Sequence, residues 1–152
     1  MSNFKCQNCQ KQVLNTDFMG VGHRNHCPYC LWSLHLDLEK AGDRKSLCRG
    51  LMEPIGLTFK KVKPDKYGKE KTGELMLAHQ CQKCGKISIN RIAGDDDPEM
   101  ILAVFEKSQK SKKRLKETDI VLLTKKDKEE IKNQLFGKFN VSQFKNCYNK
   151  NS

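Results

Sequence analysis

The chain has 152 residues, of which 37% are hydrophobic and 31% charged, and 29 basic against 18 acidic side chains give a formal charge of +11. A core that lean is marginal for this length, so bound metal is expected to supply much of the folding free energy. No apolar run approaches about 18 residues and no basic-plus-apolar leader opens the chain, which argues against a membrane partner.

Seven of the eight cysteines precede residue 85, as three C-x2-C pairs and one single. That usage favours metal ligation in a reducing cytoplasm over disulfides. Cys6 and Cys9 open a pattern that Cys27 and Cys30 complete after a gap of 17 residues. Ligand count and spacing are those of a structural zinc site, in which two tight turns each present two thiolates to one tetrahedral ion. Pro28 suits a rigid turn within the second pair. Between the pairs, Val13-Leu14 marks a short strand and Gly20-Val21-Gly22 turns the chain. Two short hairpins meeting at one zinc make a zinc ribbon.

Residues 31–38 read LWSLHLDL. The alternation puts Trp32, Leu34, Leu36 and Leu38 on one face of a half-buried strand and Ser33, His35 and Asp37 on the other. A turn over 39–44 then returns the chain through Cys48. A hairpin centred between Ala41 and Gly42 sets His35 opposite Cys48, with Cβ atoms about 5 Å apart. Cys81 and Cys84 of QCQKCG complete a second site, for two Zn2+ per chain. His79, two residues before Cys81 on a strand expected over 74–80, points to the same face and is the alternative fourth ligand.

Between Ile55 and Gly73 runs a lysine-rich excursion, with six lysines against two acids from residue 60 onward. Pro64-Asp65 and Tyr67-Gly68 read as turns, so it is an exposed hairpin or loop, either a phosphate-contacting finger with Tyr67 available to stack or a solvated loop. Gly68 and Gly73 have the spacing of a P-loop, but the following Lys and Ser/Thr are missing. A strand is expected over 87–90. Asp97 then caps a helix with Pro98 at its first position and Glu99 in its first turn, and Ile101, Leu102, Val104 and Phe105 give it an apolar side. Residues 107–116 hold six basic residues and no acid, a solvated helical extension or linker. Residues 120–123 form a short apolar strand or turn. Thr124 caps a last helix carrying Asp127, Ile131 and Leu135, which Gly137 ends. Cys147 has no partner nearby in sequence and reads as a free thiol.

RNHCP at 24–28, GDR at 42–44, MEPIG at 52–56, HQCQKCG at 79–85 and NRIAGDDDP at 90–98 together resemble the RNHCP domain family, bacterial proteins with paired CxxC motifs. The resemblance covers about residues 4–100. It implies a paired-CxxC zinc domain and names no reaction.

The expected fold is α+β: a small zinc-ribbon-like antiparallel β domain with two zinc sites over 4–97, followed by a helical, lysine-rich extension over 98–152. The extension carries 13 basic and 7 acidic residues, more than half of the net charge in about a third of the length. RNA is the natural partner for such a balance, with a ribosomal or other protein partner alongside it. The phosphate-contacting candidates are Lys60, Lys61, Lys63, Lys112, Lys113 and Arg114. Arg24 and Arg91, beside the signature turns, are expected to hold carbonyls of the metal knuckles. Two other classes compete. One is a zinc-stabilised protein adaptor using the last helix. The other is a metal-dependent hydrolase or nuclease using His26, His35, Asp37, His79, Asp95 and Asp96, which thiolate-rich ligand sets disfavour because such sites are mostly structural.

Overall fold

The computed structural model describes residues 4–14, 26–36, 45–69, 71–110 and 120–137. The first cysteine pair sits on a two-stranded ribbon, β1 (Phe4–Lys5) and β2 (Gln12–Val13), with Phe4 opposite Val13 and Lys5 opposite Gln12. The remaining strands form an antiparallel sheet of order β3-β4-β5-β6: β3 (Ser33–Leu34), β4 (Leu51–Phe59), β5 (Leu75–Cys81) and β6 (Ile87–Arg91). The fold is α+β, as expected.

The register of β4 against β5 shifts between Pro54 and Gly56. Proline has no N–H to give a ladder, so a strand tolerates it beside such a bulge. β4 then continues to Phe59, four residues beyond Ile55 where the lysine excursion was expected to leave the fold. The excursion starts at Lys60 instead, and the Lys60 N–H donates to Glu74 O at 2.7 Å to close its root. Gly73 permits this closure, since a Cβ there would lie 1.7 Å from the Lys60 carbonyl oxygen.

The expected face pattern of 31–36 is inverted. Leu31, Ser33 and His35 are buried, while Trp32, Leu34 and Leu36 are half-buried, and only Ser33 and Leu34 are strand. His35 must face inward to reach the second centre, and the alternation of a strand carries Ser33 in with it.

Helix α1 (Pro98–Lys110) packs on β4. Asp97 Oδ1 accepts the Glu99 N–H at 3.0 Å and Asp97 O accepts the Ile101 N–H at 3.1 Å, so its start matches the sequence signal. A 3-10 turn (Lys125–Asp127) and helix α2 (Lys128–Phe136) follow, and the Asp127 carboxylate accepts the Thr124 N–H at 3.0 Å. Gly137 ends α2 at φ +77, its N–H returning to Asn133 O. The core gathers Leu31, Leu57, Leu75 and Leu77 with Ile101, Val104, Phe105, Leu123 and Ile131. It therefore draws on residues from both sides of Pro98, where α1 begins. Residues 120–123 are not strand; they lie along β4 beyond the reach of the short β3, with the Leu123 N–H donating to Leu57 O at 2.8 Å and the Thr58 hydroxyl to Val121 O at 2.8 Å. An open strand edge is thereby covered.

Candidate metal centres

Three C-x2-C turns share one construction. In each, the first cysteine's carbonyl accepts the N–H of the residue after the second cysteine: Gln10 to Cys6 at 2.9 Å, Leu31 to Cys27 at 2.8 Å and Gly85 to Cys81 at 2.9 Å. Those residues all have positive φ, at 67°, 66° and 81°. Only glycine adopts that conformation without cost, so Gln10 and Leu31 are held there against their preference. The first sulfur of each turn also accepts a backbone N–H, from Cys9, Tyr29 and Cys84. Such turns aim both thiolates of a pair at one point.

The first centre brings together Cys6, Cys9, Cys27 and Cys30. Cys6 Sγ lies 3.6 Å from Cys30 Sγ, and Cys9 Sγ 3.7 Å from Cys27 Sγ. Four thiolates at about 2.3 Å from a tetrahedral ion sit about 3.8 Å apart, whereas a disulfide would need about 2.05 Å. The spacing fits zinc. Burial pushes the Cys27 thiol up, a cost that metal binding offsets.

His35, Cys48, Cys81 and Cys84 form the second centre, and within each group the ligand atoms lie within 4.8 Å of one another. Cys48 Sγ is 3.6 Å from Cys81 Sγ, and Cys84 Sγ is 3.3 Å from His35 Nδ1. Burial opposes ionisation of Cys81, yet the N–H groups of Cys84 and Lys83 and the contacts with Cys48 and His35 outweigh it and bring the thiol down to about 6. Among the described residues the buried His35 Nε2 has no hydrogen-bond partner, and Nδ1 is the nitrogen turned to Cys84 Sγ. Each centre has four protein donors, the closed set typical of a structural zinc.

The route by which Cys48 arrives differs from the expected hairpin. Strand pairing sets Ser33 opposite Met52 and Leu34 opposite Leu51, and His35 exchanges backbone hydrogen bonds with Gly50 O and the Arg49 N–H. His35 is thus aligned with Gly50 rather than with Cys48. A Cβ at Gly50 would lie 2.6 Å from Lys83 Cβ and 2.8 Å from Cys81 Sγ, so a side chain cannot occupy that place. Arg49, at φ +53, turns the chain and delivers the Cys48 sulfur from the side.

His79 is fully buried, and burial, then the charge of His26, drives its pKa down to about 3. The neutral ring donates from Nε2 to Leu31 O at 2.7 Å and accepts at Nδ1 from the Asn90 amide at 2.9 Å. Both nitrogens are used, which leaves no lone pair for a metal. His26 is spent on Asp96, with Nε2 2.6 Å from Oδ2, and the same oxygen accepts the Ala93 N–H at 2.7 Å. The histidines named for a hydrolase therefore do not converge on one open site. Asp37 lies outside the described residues. The His26–Asp96 pair was missed as a unit in the sequence, where 70 residues separate the two.

Arg91 Nε lies 3.3 Å from Glu74 Oε1 at the surface, and the carbonyl of the single ligand Cys48 receives the Lys83 ammonium at 3.2 Å. Lys60, Lys61 and Lys63 are exposed. Arg24, Lys112, Lys113, Arg114 and Cys147 lie outside the described residues.

Sheet, helices and two Cys-rich tetrads define a small α+β zinc-binding domain. The RNHCP domain model matches residues 1–102, and the chain belongs to that family. No curated protein and no solved structure matches the chain. Among the described residues, no helix is long and apolar enough to cross a membrane.

Proposed function

We propose that this protein is a cytoplasmic RNA-binding module of a bacterial cell, associated with the ribosome or another translation component, in which two zinc ions hold a rigid platform for lysine-rich phosphate contacts. The observation that carries the reading is the loop between β4 and β5. Lys60, Lys61, Lys63, Lys66 and Lys69 are exposed along it, and Tyr67 is 82% exposed. The loop has a built tip: Asp65 Oδ1 accepts the N–H groups of Tyr67 and Lys69, both at 2.9 Å, and the Lys66 ammonium sits 5.1 Å from the Tyr67 ring centroid. An ordered loop holds an aromatic face and several cations outward at little further entropic cost, which suits stacking and phosphate contact. Lys112, Lys113 and Arg114 supply a second basic cluster in the sequence.

Fluorescence anisotropy of the zinc-loaded chain on RNA across a salt series tests the reading. Replacing Lys60, Lys61 and Lys63 with alanine, and separately Lys112, Lys113 and Arg114, is expected to weaken binding to all RNA sequences. The salt slope should flatten by about 0.7–0.9 for each lysine–phosphate or arginine–phosphate interaction removed, with zinc content unchanged. Absence of binding at low salt sinks the reading. A protein adaptor is the second reading, favoured by Leu47, 95% exposed beside Cys48. It predicts a stoichiometric protein partner that survives nuclease treatment.

A further inference from the structure

Beyond β3, the segment 120–124 runs beside the far end of β4, and between them opens a groove of about 600 Å³. Phe59, Ile89, Val121 and Leu122 line its apolar part. Lys60 and Lys61, at the root of the lysine loop, and Lys126, on the 3-10 turn, also line it. Among the described residues of this lining the acid is Asp127, which accepts the Thr124 N–H, and the Thr58 hydroxyl donates to Val121 O. The groove thus brings apolar side chains and three lysines together.

We propose that this groove seats one unstacked nucleotide of single-stranded RNA, an inference that rests on the RNA reading above. The base lies on the aliphatic and aromatic floor, and the flanking phosphates face Lys60, Lys61 and Lys126. Charge complementarity selects the occupant: three lysines at one apolar groove, on a chain of formal charge +11, fit a polyanion with detachable apolar faces. A duplex is rejected, because its bases are stacked and paired inside the helix and cannot enter. Apolar contact with a base face is tolerant of base identity, so the strand is recognised with little sequence preference. The groove lies at the root of the loop that presents Tyr67, so a strand leaving it can continue along the lysines.

The test uses the zinc-loaded full chain, a fluorescein-labelled 12-nucleotide oligouridine, a 12-base-pair RNA duplex and dodecanoate. Val121 is 73% exposed, so Val121→Asp places a carboxylate at the groove without touching the core. The intact protein is expected to bind the single strand about tenfold more tightly than the duplex, and Val121→Asp to remove that preference while keeping two zinc ions and the wild-type melting point. If Val121→Asp binds the single strand as the intact protein does, while the Lys60/Lys61/Lys63 variant is weakened, the groove assignment is overturned and the RNA reading stands. If the intact protein binds neither RNA, the RNA reading falls and the groove assignment with it. Saturable dodecanoate binding that Val121→Asp abolishes, with oligouridine binding unaffected, would assign the groove to an acyl anion instead.

Discussion

His26 Nε2 donates to Asp96 Oδ2 at 2.6 Å, and this pair ties the turn before Cys27 to the loop that leads into helix α1. Both side chains are almost fully removed from water, at 3% and 0% exposure. The Asp97 N–H, donated to Pro28 O at 3.2 Å, runs parallel to the pair. The first zinc turn and the helix start are therefore one joint. Replacing Asp96 with alanine leaves His26 buried without its acceptor and frees the Ala93 N–H, and is expected to cost about 3–5 kcal/mol. Chemical denaturation of the zinc-loaded protein measures this, and elemental analysis should still find both ions. An unchanged denaturation midpoint would show that the pair is incidental.

Two zinc ions per chain are expected from the two tetrads, and native mass spectrometry counts them. Chelation should unfold the β domain, because a structural zinc site contributes about 10 kcal/mol or more of binding free energy to folding. One ion under metal-replete conditions would remove a centre.

His35→Ala and His79→Ala should differ in kind. The first loses a ligand and is expected to release the second ion. The second keeps both ions but strands Leu31 O and the Asn90 amide, with a stability loss of about 1–3 kcal/mol. Release of an ion from the His79 variant alone would reverse the ligand assignment.

Gly50→Ala is the sharpest probe of how the second centre is housed. Its Cβ must displace Lys83 Cβ and Cys81 Sγ, which would lie 2.6 and 2.8 Å away. Zinc affinity at that centre should fall while the Cys6/Cys9/Cys27/Cys30 centre holds its ion, as cobalt substitution and visible absorption of the two centres would show. Equal retention at both would mean that the backbone there yields freely.

Truncation after residue 97 removes Ile101, Val104, Phe105, Leu123 and Ile131 from the core and exposes Leu57, Leu75 and Leu77. At about 1.5–3 kcal/mol per large apolar side chain, that loss exceeds what a small domain can spare. The truncated chain is expected to bind zinc yet show a loosened sheet in amide hydrogen exchange. Protection equal to that of the full chain would make 4–97 an independent domain.

What the sequence determined by itself was the chemistry that depends on local spacing. Each C-x2-C turn is closed by hydrogen bonds within a few residues, so three knuckles and their thiolates were legible, as were the Asp97 and Gly137 helix ends. The choice of His35 was also reached, though through a hairpin register that the chain does not adopt. Tertiary structure decided the rest, because it turned on contacts between segments far apart in the chain. Gly50 stands opposite His35 because the space is filled by Cys81 and Lys83, which lie some 30 residues further on. His79 is excluded as a ligand by Leu31 and Asn90, and His26 is claimed by Asp96. A histidine's two nitrogens cannot be assigned from spacing, since their partners are set by which chains the fold packs around the ring.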